Sequence, residues 1–233
     1  MIRRLSVAVA IAAFGLVFLS LAVGYTEQVS LRPLAESYVR LVPQELGAQN
    51  VITGILLTFR AFDTLGEVAV LFMVAASVGL VLGPTQPLSA EAREEVAVKA
   101  RPSSEIVRSG AEILAPLIAI FAAYIIMNGH LSAGGGFQGG AVIASGVLLM
   151  LLAYPRYRLA LDFLSITESV AGVLFVLAGV AGLIFAGGFL DNRILPIGQF
   201  GALFSAGAIP VLSMLLGIKV GCELSVILDS FRP

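Results

Sequence analysis

Five apolar runs of membrane-crossing length and a weaker sixth set the terms for this chain, and one of them carries three charges in its middle. Arg60-Ala-Phe-Asp63-Thr-Leu-Gly-Glu67 lies between Asn50–Phe59 and Val68–Gly83, both almost wholly apolar. Residues three and four apart share one face of a helix, so Arg60, Asp63 and Glu67 would line up on one side. A charge near the bilayer centre costs at least ~2.5 kcal/mol on insertion scales, so such groups are paired, hydrated or used. The chain reads as all-α, a polytopic membrane protein with about six transmembrane helices, its chemistry at that charged face.

The runs are Leu5–Val23, Asn50–Leu82, Ala111–Met127, Gly139–Leu152, Thr167–Ala186 and Phe200–Ile218. About 20 helical residues cross a ~30 Å hydrocarbon core. Gly139–Leu152 is short by that measure, and Asn50–Leu82 is too long for one upright span. The helical phase of Arg60, Asp63 and Glu67 favours one tilted helix there over two half-helices broken around Ala61–Gly66. The first run follows Arg3-Arg4 as a secretory leader would, but it exceeds the ~7–15 apolar residues usual for one. A retained first span is therefore expected.

Basic residues orient the spans. With six spans and the N-terminus inside, Arg3, Arg4, Arg93, Lys99, Arg101, Arg108, Arg156, Arg158, Lys219 and Arg232 fall on the inner side. Only Arg32, Arg40 and Arg193 fall outside. Both termini and the mixed-charge stretch Pro84–Gly110 are thus expected in the cytoplasm. That stretch divides the chain into residues 1–83 with two helices, a linker over 84–109, and residues 110–233 with four helices. Glu27–Gly47 has Leu31, Leu34, Tyr38 and Leu41 at helical spacing, with charges between them, and reads as an interfacial amphipathic helix.

Composition excludes several functions. Charged residues are 12% of the chain against roughly 25% in soluble domains, and the net charge is −1 with no basic stripe, so nucleic acid is not a partner. One cysteine, Cys222, and one histidine, His130, rule out an internal disulfide and argue against zinc, haem or iron–sulfur centres. Neither a cofactor nor a catalytic residue is expected.

Asn128–Gly140 joins the third and fourth runs, with five glycines in the seven positions 134–140. Glycine costs about 1 kcal/mol relative to alanine in a helix, so this reads as non-helical backbone. It could be a re-entrant turn that admits a neighbouring subunit, with His130 as a titratable group. It could equally be a tight turn with His130 bonded to backbone. Ser109-Gly-Ala-Glu112 and Ser165-Ile-Thr-Glu168 match the capping box, which would make both glutamates helix starts. Lys219 and Glu223, one turn apart, read as an interfacial pair after the last span, and Cys222 as a small apolar residue.

Gly47-Ala-Gln-Asn-Val-Ile-Thr-Gly-Ile-Leu-Leu-Thr-Phe-Arg-Ala-Phe-Asp-Thr-Leu-Gly-Glu67 resembles the C-terminal segment of the large A subunit of Mrp-type sodium/proton antiporters; membrane-bound hydrogenases have this segment as a separate small E subunit. Gly129-His130 through Gly140, Gly187-Gly-Phe-Leu-Asp-Asn192, Leu195-Pro-Ile-Gly198 and Ser205-Ala-Gly-Ala-Ile-Pro210 resemble the Mrp B subunit, or the hydrogenase F subunit. Ala133 stands where that family usually has proline. The resemblance implies a fused subunit of a multisubunit Na+/H+ exchange module in a prokaryotic plasma membrane. Such a module works alone or is coupled to a respiratory redox arm such as a hydrogenase or sulfur reductase. Its partners would be other Mrp-type or hydrogenase-type membrane subunits, the lipid bilayer, Na+ and H+. It also implies that Asp63 and Glu67, with Arg60, belong to an ion path, and that His130 is the motif histidine. The alternative is a scaffold subunit with no ion path of its own.

Overall fold

The computed structural model describes residues 2–26, 30–82 and 103–231. Among them, six helices are long and apolar enough to cross a membrane, as the sequence predicts. The chain divides into two compact units, Met1–Ser37 and Tyr38–Pro233.

The first unit contains α1 (Ile2–Gly24), apolar on all sides and exposed along its described side chains. The unit boundary falls inside the short helix α2 (Pro33–Leu41). In the second unit α2 widens into a π-helical turn, Val42–Leu46, whose Val42 and Leu46 are buried in the core. A helix therefore stands where amphipathic spacing predicts one, but its end dives into the protein. Glu27–Val29 lie outside the described residues.

The long second run is not one helix. A single turn α3 (Val51–Gly54) passes into a π-helical turn, Ile55–Phe59, and the helix stops at Arg60, whose φ of −123° and ψ of 41° are non-helical. α4 (Ala61–Leu82) starts afresh. Helical phase through Asp63 and Glu67 is kept because both lie beyond the break. Thr64 repairs part of the lost ladder: its buried hydroxyl donates to the Leu56 carbonyl at 2.7 Å.

Four antiparallel spans follow: α5 (Glu105–Met127), α6 (Gly136–Ala153), α7 (Leu161–Phe185) and α8 (Ile209–Ser230). α8 is the hub, with half of its span buried, the largest share of the six. α4, α5, α6 and α7 all pack on it. The last span thus runs nine residues past the predicted start and twelve past the predicted end (Phe200–Ile218). Gly198, Gly201 and Gly207, all at positive φ, keep the earlier stretch irregular, and Pro210 sits in the first turn of α8.

The glycine string is also not what glycine propensity alone predicts. Gly136, Gly139 and Gly140 are helical, in the first turns of α6. A Cβ at Gly136 would fall 2.5 Å from Leu216 Cβ and one at Gly140 2.7 Å from Val220 Cβ. On α8, a Cβ at Gly217 would fall 2.5 Å from Ile126 of α5, and one at Gly221 3.1 Å from Ile143 of α6. Each helix therefore carries a Gly-x-x-x-Gly pair (Gly136/Gly140, Gly217/Gly221) that lets the backbones close up. The glycines admit the chain's own α8, and the packing gained offsets their poor propensity.

Neither capping box forms. Ser104 caps α5, so Glu112 falls in its second turn and accepts from Tyr154 Oη. Glu168 is the eighth residue of α7 and turns inward. Most of the polar linker, residues 83–102, lies outside the described residues, and Glu105–Gly110 are already helix. Replacing Gly140 by valine should overpack the α6–α8 seam at a cost of about 1–3 kcal/mol. Gly15→Val, with nothing near its Cβ, should be neutral. Thermal unfolding of the two variants in detergent checks this: a lowered Tm is expected for Gly140→Val alone.

Candidate functional site

The break at Arg60 shapes the charged face. Asp63 lies in the first turn of α4, where free backbone N–H groups and the helix dipole favour a carboxylate. It pairs with the Arg60 guanidinium across that turn, both side chains substantially exposed at 43% and 59%. Glu67, one turn on and about 9 Å along the helix from Ala61, is exposed and has no hydrogen-bond or ion-pair partner among the described residues. About 100° around the same turns lie Ala61, Thr64 and Val68, which are buried. The structure thus pairs Arg60, at the helix break, with Asp63 and sets Glu67 one turn on, all three exposed and not packed into the chain's own core. Phe62 stacks on Phe189 of the α7–α8 loop, centroids 4.9 Å apart, and fixes the start of α4 at the loop end of the bundle.

At that end three irregular segments are sewn together by two asparagines. Asn50 caps α3 through its side-chain oxygen, and its amide donates to the carbonyls of Gly129 and Ser132, both at 2.8 Å. Thr53 Oγ1 adds a 2.9 Å bond to the Gly129 carbonyl. Asn192, fully buried, donates to the carbonyls of Leu46 and Ala206, both at 3.0 Å. Buried carbonyls left without a partner are costly, so these side chains do for the loops what a helix does for itself. Neither asparagine stands out in the sequence; the available signal is a polar residue inside an otherwise apolar stretch.

His130 is buried, 1% exposed, in the α5–α6 turn. Its Nε2 lies 3.3 Å from the Ala202 carbonyl, and its own carbonyl accepts from the backbone N–H groups of Gln49 and Asn50 at 2.9 and 3.0 Å. Burial holds its pKa below the usual imidazole value, partly opposed by the carbonyls of Ala202 and Met127. This is the backbone-bonded turn of the two predicted alternatives. In the α7–α8 loop, Asp191 accepts from Arg193 Nε at 2.9 Å, and the arginine holds that carboxyl below the ordinary carboxylate range. A cleft of about 270 Å³ opens between Glu45, Thr58, Phe59, Gly187, Asp191 and Arg193.

A second charged cluster escapes the sequence reading because the apolar run that marks the last span ends at Ile218. Lys219 is the eleventh of the 22 residues of α8, not an interfacial residue. Its ammonium donates to Glu223 Oε2 at 2.6 Å, one turn along α8, and to Glu168 Oε1 of α7 at 3.2 Å. Lys219 is 5% exposed and Glu223 fully buried, while the Glu168 side chain retains 12% exposure. Gly172, one turn after Glu168, leaves room for the lysine stem, whose Cε would stand 3.5 Å from a Cβ there. Among the described residues no group of His, Cys, Asp and Glu is arranged to hold a metal ion.

Comparison with known proteins matches residues 106–226 to the family described as a domain related to the MnhB subunit of Na+/H+ antiporters. Residues 1–98 match the family of the MBH E subunit. The first match spans more than half of the chain, and the chain belongs to that family of multi-pass membrane subunits. An uncharacterized protein of Methanocaldococcus jannaschii is 29% identical over 199 residues, 76% of this chain and 74% of the relative. The probable K(+)/H(+) antiporter A/B subunit of Rhizobium meliloti is 31% identical over 83% of this chain, but the match spans only 21% of that protein. The B subunit of the Na(+)/H(+) antiporter of Bacillus subtilis is 34% identical over 37% of this chain and 63% of its own length. A chain of the membrane-bound sulfane sulfur reductase, an archaeal respiratory membrane complex, superposes with a TM-score of 0.80 and 34% identity, covering 100% of this chain and 99% of that one. A chain of the Mrp complex from Dietzia sp. DQ12-45-1b shares the fold, with a TM-score of 0.76 at 22% identity over 99% of this chain and 26% of that one.

The buried histidine makes a pH prediction whose sign follows from its lowered pKa. The folded chain binds the proton less readily than the unfolded chain, so unfolding takes up a proton and stability falls as pH drops below the ordinary value of 6.5. His130→Gln should flatten the fall in Tm between pH 7 and about pH 5. A Tm–pH curve that keeps its slope in this variant assigns the acid sensitivity elsewhere.

Proposed function

We propose that the chain is a membrane subunit of a multisubunit cation/proton exchange module, in which Asp63 and Glu67 line an ion path for Na+ and H+ shared with neighbouring subunits. The observation that carries this is the exposed charged face of α4. A helix apolar enough to cross the membrane presents an ion pair and an unpartnered acid away from its own bundle. Lipid cannot cover these groups cheaply, so a partner subunit or water does. Arg60 serves as the fixed counter-charge of Asp63, and Glu67, a turn farther from the arginine, is the acid left to exchange a proton. His130 braces the turn that anchors α3, beside this path.

In this reading residues 1–83 form the part like the hydrogenase E subunit or the tail of the Mrp A subunit, 84–109 a cytoplasmic linker, and 110–233 the part like the Mrp B subunit. The chain lies in the plasma membrane with both termini inside. A redox arm is favoured over a stand-alone antiporter by one observation: a chain of a respiratory complex matches this one from end to end, whereas the Rhizobium meliloti antiporter subunit is about five times longer than the match. Nickel–iron hydrogenase-like or sulfur-reductase genes beside the coding gene are expected.

Single cysteines introduced at Ser103 and Ser132, which flank opposite ends of α5, should label from opposite sides, Ser132 from the outside. Labelling of both from one side contradicts the six-span topology. Glu67→Gln should abolish or greatly reduce ion exchange by the assembled complex in proteoliposomes while leaving its size unchanged. Asp63→Asn strands Arg60 and should lower both assembly and exchange. Near-normal exchange by Glu67→Gln leaves the face a packing element and makes the chain a scaffold.

A further inference from the structure

The Lys219 cluster is one positive charge short. Lys219 carries +1, and Glu168 and Glu223 carry −2 when ionised, so the group as a whole would hold −1 inside the bundle. An uncompensated charge in a dry interior costs several kcal/mol even after relaxation. The geometry shows where the missing charge belongs. One oxygen of Glu223, Oε2, is held by Lys219, while Oε1 is completely buried and accepts from no donor among the described residues. An unpaired carboxylate oxygen in that position pays its full desolvation cost.

No other charge among the described residues supplies the compensation. α6 carries no titratable side chain anywhere along Gly136–Ala153. α5 meets α8 through Ile126, and its Arg108 and Glu112 are engaged with Ser103 and Tyr154. α4 meets α8 through its buried face, with Asp63 and Glu67 turned outward. On α8 the remaining nearby group, Cys222, is a neutral free thiol.

We propose that Lys219, Glu168 and Glu223 form a proton-holding site inside the membrane, in which one exchangeable proton resides on Glu223 and is delivered or withdrawn through the partly exposed Glu168. The occupant is a proton and not Na+. A sodium ion needs several converging oxygens, and here the ammonium of Lys219 already occupies the space between the carboxylates and repels a second cation. The site differs in depth from the Asp63–Glu67 face: Lys219 is about 15 Å along α8 from the loop end, Glu67 about 9 Å along α4. The inference rests on the exchange function proposed above for its role in transport, though not for the presence of the proton.

The experiment is infrared difference spectroscopy of the intact complex at neutral pH, read in the band of protonated carboxyl groups, with exchange measured separately in proteoliposomes. The wild type should show a band that Glu223→Gln removes. Glu168→Gln should remove it too, because one lysine and one glutamate are already neutral. Lys219→Met should raise it about twofold, since two acids without a cation both keep their protons. Glu223→Gln should also cut exchange by about a hundredfold, the lower range for a positioned proton-transfer group. A spectrum unchanged by all three substitutions overturns the proposal, because the cluster is then a fully ionised structural triad. A band that fades on adding Na+ at constant pH also overturns it, making this a cation site. The band belongs to the resting complex, so its loss in Glu223→Gln holds even if the Glu67→Gln measurement fails to support exchange. Normal exchange by Glu223→Gln overturns the transport role alone.

Discussion

The close approach of α6 and α8 is the contact on which the second unit is built. With glycine at 136 and 140 of α6 and at 221 of α8, the two helices pack backbone against side-chain stem, and an added Cβ would meet heavy atoms at 2.5–3.1 Å. Lipid tails are as apolar as leucine, so helices in a membrane are held by such contacts and not by burial of greasy surface alone. α8 thereby becomes the axis against which α4, α5 and α7 pack. Because it is the axis, its polar side chains fall inside, which is why Lys219 and Glu223 are buried.

The second requirement is hydrogen bonding of backbone that is not helical. Residues 42–50, 55–60, 128–135 and 186–208 all depart from α-helix and meet at one end of the bundle. Asn50, Thr53 and Asn192 reach between them and answer carbonyls far apart in sequence. The segment before α4 is therefore woven into the four-helix part by hydrogen bonds as well as by packing. The break at Arg60 has the same logic: a helix stopped there frees the first turn of α4 to receive Asp63, and Thr64 repairs the gap.

Charge is handled in two ways. The Arg60–Asp63–Glu67 face is turned outward, which demands something beyond this chain, and this is the physical basis for reading it as a shared path. The Lys219 cluster is turned inward and nearly self-sufficient, short by one charge. The chain thus carries two chemically different groups of acids, one exposed on α4 and one packed between α7 and α8.

The six spans, the membrane class and the charged face at 60–67 were legible in the sequence, because hydropathy over about 20 residues and helical phase are local properties. The family resemblance was legible as well, since the Asp-Thr-Leu-Gly-Glu and Gly-Gly-Gly-Phe-Gln-Gly-Gly strings are contiguous. What sequence could not give was anything set by a partner helix. Glycine propensity argued against helix at 136–140, and close packing on Leu216 and Val220 across the seam, with Ile126 of α5, makes helix the better state there. An apolar run counted from Phe200 ended at Lys219 and made a membrane-buried lysine look interfacial. Glu168 matched a capping box, yet its partner lies fifty-one residues away. Local pattern fixed which segments enter the membrane; tertiary packing decided which charges stay inside, because a buried charge is stable only where the fold brings its counterpart to it.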